Sequence, residues 1–334
     1  MQLEVIMSTP NIFSFATSEL SQDAFICWFL SWAKCEYSTE DLSLHNCARE
    51  FISKIFEKHS KVIPSEITDI KITKQDKHID VLCVINNEYP IIIEDKTGTK
   101  HHSGQLKRYL NEIENRDYEI NNILPIYYKT EEQSCYSKVL KNGYALFLRN
   151  EMISVLSMYD GENQILIDYR NHLSQISSKV DSYIHLPISD WGWHSWVGFY
   201  SRLKDELKAG DWDYVANPSG GFLGFWWHWH GDSKCEQYLQ LEEDKLCFKI
   251  WVGEGEDKRE LRSRWHSLLK NNSTSFSELT IKKPARFGSG TYMTVCVNSD
   301  DYRITDADNK IDFQKTVNLL KSAESLLSSV QSVD

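Results

Sequence analysis

The sequence predicts an α/β domain followed by a separate α+β domain, and three observations carry that division. Residues 17–128 pass from helical apolar spacing to strand runs and back, two neighbouring runs are apolar almost without a break, and an aromatic-rich texture begins near residue 185. We therefore place the domains at residues 11–185 and 186–334. A chain of 334 residues can bury two cores of ordinary size.

Thr17 or Ser18 is positioned to cap a first helix, along which Leu20, Ala24, Cys27, Trp28 and Trp32 follow helical spacing. A second helix spans about His45 to Lys58 on Cys47, Phe51, Ile55 and Phe56, with His45 expected to cap it. The period then changes to that of strands. Ile67, Ile70 and Ile72 open a β-rich stretch, and the runs Ile79 to Ile85 and Pro90 to Lys96 flank the turn residues Asn86 and Asn87. Nearly continuous apolar runs are the mark of strands covered on both faces, so this hairpin should be central. Ser103 to Arg116 reads as a helix with Leu106, Tyr109, Leu110 and Ile113 on one stripe, and Ile123 to Tyr128 as a strand. A strand at Tyr144 to Leu148 and helices at Glu151 to Met158 and Ile165 to Lys179 complete the first domain. In the second, strands at Phe222 to His230, Glu236 to Glu242, Lys245 to Val252, Leu279 to Lys283 and Thr291 to Asn298 accompany helices at about Asp257 to Lys270 and Ile311 to Val330.

Composition excludes several classes. Apolar residues at 41% and charged residues at 25% are globular values. The longest nearly apolar stretch, Ala24 to Ala33, is well short of a membrane span, and no basic-then-apolar leader opens the chain, so neither insertion nor secretion is expected. Eight cysteines at 27, 35, 47, 83, 135, 235, 247 and 296 form no CxxC pair and no zinc spacing, the pattern of reduced thiols in a cytoplasmic protein. Net charge is −11, with 19 basic against 26 acidic residues up to residue 185 and 18 against 22 beyond it. An anionic partner must therefore be held by a local patch or by metal.

The chemistry concentrates where Ile91, Ile92 and Ile93 run directly into Glu94, Asp95 and Lys96. Charges at the end of a buried strand are costly unless paired or bound to metal. Residues two apart share a strand face at roughly 7 Å, which groups Glu94 with Lys96 and sends Asp95 the other way. With Ile85 opposite Pro90, Asp80 becomes the cross-strand partner of Glu94 or Asp95, about 5 Å away. Two carboxylates and a lysine at one strand end suit a hard cation such as Mg²⁺ or Mn²⁺ and water-driven attack on phosphate.

Asp80 followed after thirteen residues by Glu94-Asp95-Lys96 resembles the D…(D/E)xK signature of the PD-(D/E)xK nuclease superfamily. The resemblance covers roughly residues 11–130 and includes the order of elements; Ile79 stands where many members have proline. It implies a restriction-endonuclease-like core, a mixed central sheet flanked by helices. Gln105 and Tyr109 are similar to the QxxxY motif of RecB-like branches, and the chain as a whole is most similar to bacterial members with a NIF-type start and a long C-terminal extension. What this implies is a nuclease in which Asp80, Glu94 and the backbone carbonyl of Asp95 ligate Mg²⁺ or Mn²⁺, with Glu19 assisting. Lys96 would activate water and offset phosphate charge, and Gln105 and Tyr109 would position the substrate. DNA is favoured over RNA, with a role in bacterial defence, mobile elements or repair. A fold that kept this site but lost turnover, serving as a binding scaffold, is the alternative.

Simpler readings remain open for several residues. Glu19 is also the acidic residue that a helix dipole favours in the first turn. Asp23 is expected to be solvated, Asp95 to pair locally, and His101 and His102 to be exposed. In the run Trp226 to His230, alternation puts Trp227 and Trp229 together on a core face. Between Lys258 and Arg286, eight basic residues stand against Glu260 and Glu278, and Arg259 and Arg262 could grip a phosphate backbone. A homo-oligomer or protein partner would be engaged through the C-terminal domain.

Overall fold

A computed structural model describes residues 10–100, 104–217 and 220–330. His101, His102 and Pro218 lie outside them. The chain divides between Ser177 and Ser178 into two compact units. The first unit is a five-stranded mixed sheet flanked by helices. Helices α1 (Glu19–Ser31) and α2 (Leu42–Lys58) precede strands β1 (Ile70–Asp76), β2 (Ile79–Ile85) and β3 (Tyr89–Lys96). Then follow α3 (Gln105–Glu114), β4 (Leu124–Lys129), α4 (Ser137–Lys141), β5 (Ala145–Leu148), α5 (Arg149–Leu156) and α6 (Gln164–Val180). Sheet order is β1-β2-β3-β4-β5, antiparallel through β3 and parallel beyond it, because α3 and α4 carry the crossovers.

Strand β3 is the middle of this sheet and is covered on both faces, as its apolar run requires. Ile91 and Ile93 pack with Phe29 and Phe51 of the first two helices, while Ile92 packs with Leu106, Tyr109 and Ile113 of α3. The β2–β3 turn sets the register. Asn86 and Asn87 both have positive φ, 53° and 57°, and Glu88 N donates to Ile85 O at 2.9 Å, a primed turn that asparagine tolerates better than most residues. Ile85 pairs with Tyr89 and Val84 with Pro90, one step from the expected pairing of Ile85 with Pro90. Running on from Val81 opposite Ile93, that register sets Asp80 opposite Glu94.

Two helices differ from expectation in ways that matter for the site. Ser18 caps α1 as expected, but the buried stripe is Phe25, Ile26, Phe29 and Leu30, while Leu20 and Ala24 are exposed. The helix is apolar nearly all round, so spacing alone does not choose its inner face. Helix α2 starts earlier than His45: Asp41 accepts from Leu44 N at 2.9 Å as the cap, and His45 lies inside the helix with Nδ1 2.9 Å from Trp32 O.

The second unit is a six-stranded antiparallel sheet, β10-β11-β9-β8-β7-β6, from β6 (Asp211–Asn217), β7 (Gly220–Gly231), β8 (Cys235–Glu242), β9 (Lys245–Val252), β10 (Ile281–Lys282) and β11 (Tyr292–Asn298). Helices α7 (Trp193–Leu207), α8 (Lys258–Asn272) and α9 (Phe313–Ser329) join the same core as one face of it. Helix α7 and strand β6 occupy the aromatic-rich stretch that begins near residue 185, where spacing alone predicts no element. Trp229 does not share the face of Trp227. A bulge between Trp227 and His230, with His228 at φ 58°, turns Trp229 outward, where it stacks on Tyr238 at 3.9 Å. Among the described residues no helix is long and apolar enough to cross a membrane.

Close packing in this unit yields a direct test. A Cβ on Gly198 of α7 would collide with the Val180 carbonyl oxygen, which is backbone and cannot turn away. Gly198→Ala should cost about 3 kcal/mol or more, read as a lower denaturation midpoint; an unchanged midpoint would show that this contact is looser than described.

Candidate active site

The end of β3 gathers the acidic residues around one ammonium group. Ser18, by capping α1, fixes Glu19 in the first turn over this strand end. Glu19 Oε1 accepts from Thr97 N at 3.2 Å and Thr99 Oγ1 at 2.6 Å, and Oε2 lies 3.4 Å from Lys96 Nζ. Burial pushes the Glu19 carboxyl upward, but Thr99, Lys96 and Thr97 together hold it below its usual range. Its place is therefore not explained by the helix dipole alone.

Lys96 is 5% exposed, and that figure decides its role, because so buried an ammonium needs partners. Its Nζ donates to Asp95 O at 2.7 Å and stands 2.8 Å from Glu94 Oε1 and 3.6 Å from Asp80 Oδ2. Burial pulls the Lys96 pKa down, yet Glu94, Asp80 and Glu19 outweigh it and hold the group above its normal value. The surrounding carboxylates thus favour the charged form of Lys96.

Asp80 is positioned by the backbone of the opposite strand. Its Oδ2 accepts from Asp95 N at 3.0 Å and its Oδ1 from Gln75 Nε2 at 3.3 Å. Glu94 differs from every other acid here. It is completely buried, and although Lys96 is close, neither carboxylate oxygen receives a directed hydrogen bond. Burial, with Asp80 adding to it, pushes its pKa up to about 8 against the pull of Lys96.

Asp95 points to the other face, as strand alternation predicts, but its partner is distant in sequence. Gln22 Nε2 of α1 donates to Asp95 Oδ1, and Asp23 lies beside them. Asp23 is 1% exposed rather than solvated; the rotated face of α1 carries it inward. Burial and Asp80 push Asp23 up to about 6, and burial pushes Asp95 well above its usual range despite the Gln22 hydrogen bond. The carbonyl of Asp95, expected to face a metal, accepts from Lys96.

Gln105 Nε2 donates to Tyr109 OH at 2.9 Å, so these two residues form one unit. The Tyr109 ring packs with Ile79, Leu82 and Ile92 on the Glu94 side of the sheet. Arg259 and Arg262 lie on α8 in the second unit. Arg259 is exposed, whereas Arg262 donates from Nη1 to Gly288 O at 2.6 Å and stands 4.8 Å over the Phe287 ring, a local structural engagement. Sequence reasoning missed Lys129. It pairs in register with Lys96 from β4, is 1% exposed, and donates to Thr97 O and to Thr99 O at 2.6 Å, tying down the segment that holds Glu19. Burial pulls its pKa down to about 8. The apolar run Leu124 to Tyr128 ending in a lysine repeats the pattern of β3 and was the available signal.

These residues fit a hard divalent cation. Three carboxylates face one ammonium, and the two Glu94 oxygens without hydrogen bonds sit beside Asp80. Among the described residues no three His, Cys, Asp or Glu side chains form a ready-made chelate. Mg²⁺ does not require one, since it is commonly held by one or two carboxylates with water and substrate phosphate completing its shell. A family model described as the PD-(D/E)XK nuclease superfamily matches residues 10–187. The chain belongs to this superfamily. No curated protein and no solved structure matches it.

Within this nuclease superfamily member, the buried carboxylate makes stability depend on pH. Without divalent ions, the folded chain retains a proton on Glu94 between the ordinary value of 4.5 and about 8, where the unfolded chain has lost it. The contribution of Glu94 to stability therefore falls as pH rises through that window. In melting curves recorded in a chelator, wild type should lose stability relative to Glu94→Gln between about pH 5 and about pH 8. A difference that stays constant over this range would contradict a buried Glu94 that keeps its proton above the usual range.

Proposed function

We propose that this chain is a divalent-metal-dependent phosphodiesterase that hydrolyses nucleic acid, with DNA favoured over RNA. The observation that supports it most is Glu94, fully buried, lacking directed hydrogen bonds on both oxygens and set beside Asp80 and a fixed ammonium. An ion pair with Lys96 reaches only Oε1, at 2.8 Å, and leaves Oε2 buried without a partner, a situation that costs about 1–3 kcal/mol.

Asp80 and Glu94 would hold Mg²⁺ or Mn²⁺, with Glu19 assisting and the Asp95 carbonyl as a further donor. The bound cation supplies Lewis acidity toward a phosphoryl oxygen and acidifies water at neutral pH. Lys96, pinned by Glu94 and the Asp95 carbonyl, keeps its proton on Nζ. It therefore orients the attacking water and offsets charge developing on the phosphate, rather than accepting the proton itself. Gln105, steadied by the Tyr109 hydroxyl, positions the substrate strand. Arg259 would provide a phosphate contact from the second unit, which serves as the substrate or partner module, whereas Arg262 is held by Gly288 O and the Phe287 ring. Eight cysteines outside any disulfide accord with a reducing, cytoplasmic setting, and the family likeness points to defence, mobile-element or repair work in a bacterium.

The test is cleavage of labelled DNA and RNA with Mg²⁺, with Mn²⁺ and in chelator. Wild type should cut only with metal, DNA faster than RNA, and Asp80→Ala and Lys96→Ala should each lose about 100-fold or more. Equal activity in all three proteins would overturn the assignment. A wild type that binds nucleic acid and never cuts it would instead identify a scaffold.

A further inference from the structure

A second feature of the first unit has no part in the site above. A cleft of about 510 Å³ opens beside the start of α3, lined by Lys100, Lys138 and Lys141 together with Ser137, Asn142 and Gln133. No carboxylate is among its described lining residues, in a unit where acidic residues outnumber basic ones. The short helix α4 brings Lys138 and Lys141 to one rim, three residues apart and so on one helix face, and both are exposed. Lys100, four residues beyond Lys96, also lines the cleft.

The cleft is joined to the catalytic strand by a short chain of contacts. Tyr127 is the in-register neighbour of Glu94 on β4, and its hydroxyl donates to Gln133 Oε1 on the cleft wall at 3.2 Å. Gln133 is in turn fixed by donating to Cys135 O at 2.7 Å. On the helix side, Leu106 lines the cleft one residue after Gln105, and the Leu106 carbonyl accepts from Tyr144 OH at 3.2 Å. One side chain, Tyr127, thus stands between Glu94 in the sheet and the wall of the cleft.

We propose that this cleft holds the phosphate backbone of the nucleic-acid strand next to the scissile bond. The inference rests on the nuclease reading and adds to it the surface that grips the substrate. Ammonium groups around a cleft without carboxylates in its described lining are what phosphate oxygens select, and they hold a strand whatever its sequence. The sequence alone shows no bulk positive charge for this purpose, so a local patch must do it. A cleft of this size also admits a single free nucleotide, which presents the same phosphate chemistry.

Binding of a labelled oligonucleotide to the full chain, measured by anisotropy in chelator across a salt series, separates these cases. Each lost phosphate contact removes about 0.7 from the salt slope on a single strand and about 0.9 on a duplex. Lys138→Ser with Lys141→Ser should weaken binding and flatten the slope by about one to two units. Lys54→Ser with Lys71→Ser, which removes the same charge from α2 and β1, should leave the slope as in wild type. Slopes equal in both double variants, or no wild-type binding, would overturn the proposal, as would a mononucleotide that binds the cleft as tightly as the oligonucleotide. Metal-dependent cleavage accompanied by an unchanged slope would remove the cleft and leave the nuclease reading standing, whereas a flattened slope without cleavage would leave a strand-binding cleft but remove the nuclease reading and the placement beside a scissile bond. All four substituted lysines are on the surface, where such changes shift stability by about 0.5 kcal/mol or less, and a melting curve checks it.

Discussion

A carboxylate buried without directed hydrogen bonds organises the first unit. Glu94 sits on the central strand, sealed by α3 on its own face and by the neighbouring strands at its sides, with one ammonium against it. Such an arrangement is unfavourable by itself, since transferring a charge from water is offset only by close and well-directed partners. The surrounding fold tolerates the cost because three isoleucines anchor the same strand on both faces. Functional sites are where local rules of this kind are broken.

Geometry at the strand end follows from small causes upstream. Two asparagines in left-handed conformations close the β2–β3 turn, and that turn decides which residue of β2 reaches Glu94. A shift of one residue would turn Asp80 to the opposite face and dissolve the pair. Ser18, by starting α1 where it does, determines that Glu19 rather than a neighbour meets Lys96. Lys129 then ties Thr97 and Thr99 in place from the parallel side. Helix α1, the β2–β3 hairpin and strand β4 thus together determine where one ammonium and its carboxylates stand.

Much of this was legible in the amino-acid order, and the rest was hidden for identifiable reasons. Strands β2 and β3 announce themselves as apolar runs, and the alternation that separates Glu94 and Lys96 from Asp95 is a property of any strand. The inner face of α1 was not legible, because Leu20, Ala24, Phe25, Ile26, Cys27, Trp28, Phe29 and Leu30 together put apolar side chains nearly all round the helix. That one ambiguity concealed both the burial of Asp23 and the contact of Gln22 with Asp95. In the second unit a single inserted residue at His228 reversed the face of Trp229, which no alternation count anticipates. Helix α7 carries its signal at Trp196, Phe199, Tyr200 and Leu203, but so many aromatics together read first as composition and only afterwards as a period.

Everything at this site turns on whether Asp80 and Glu94 take a cation between them. Anomalous scattering from crystals soaked in Mn²⁺ examines this without reference to any substrate. A peak bounded by the Asp80 and Glu94 carboxylates is the predicted result. Continuous absence of such a peak at saturating Mn²⁺, with Lys96 still seated against Glu94, would mean that the lysine already completes the site, and the enzymatic reading would be wrong.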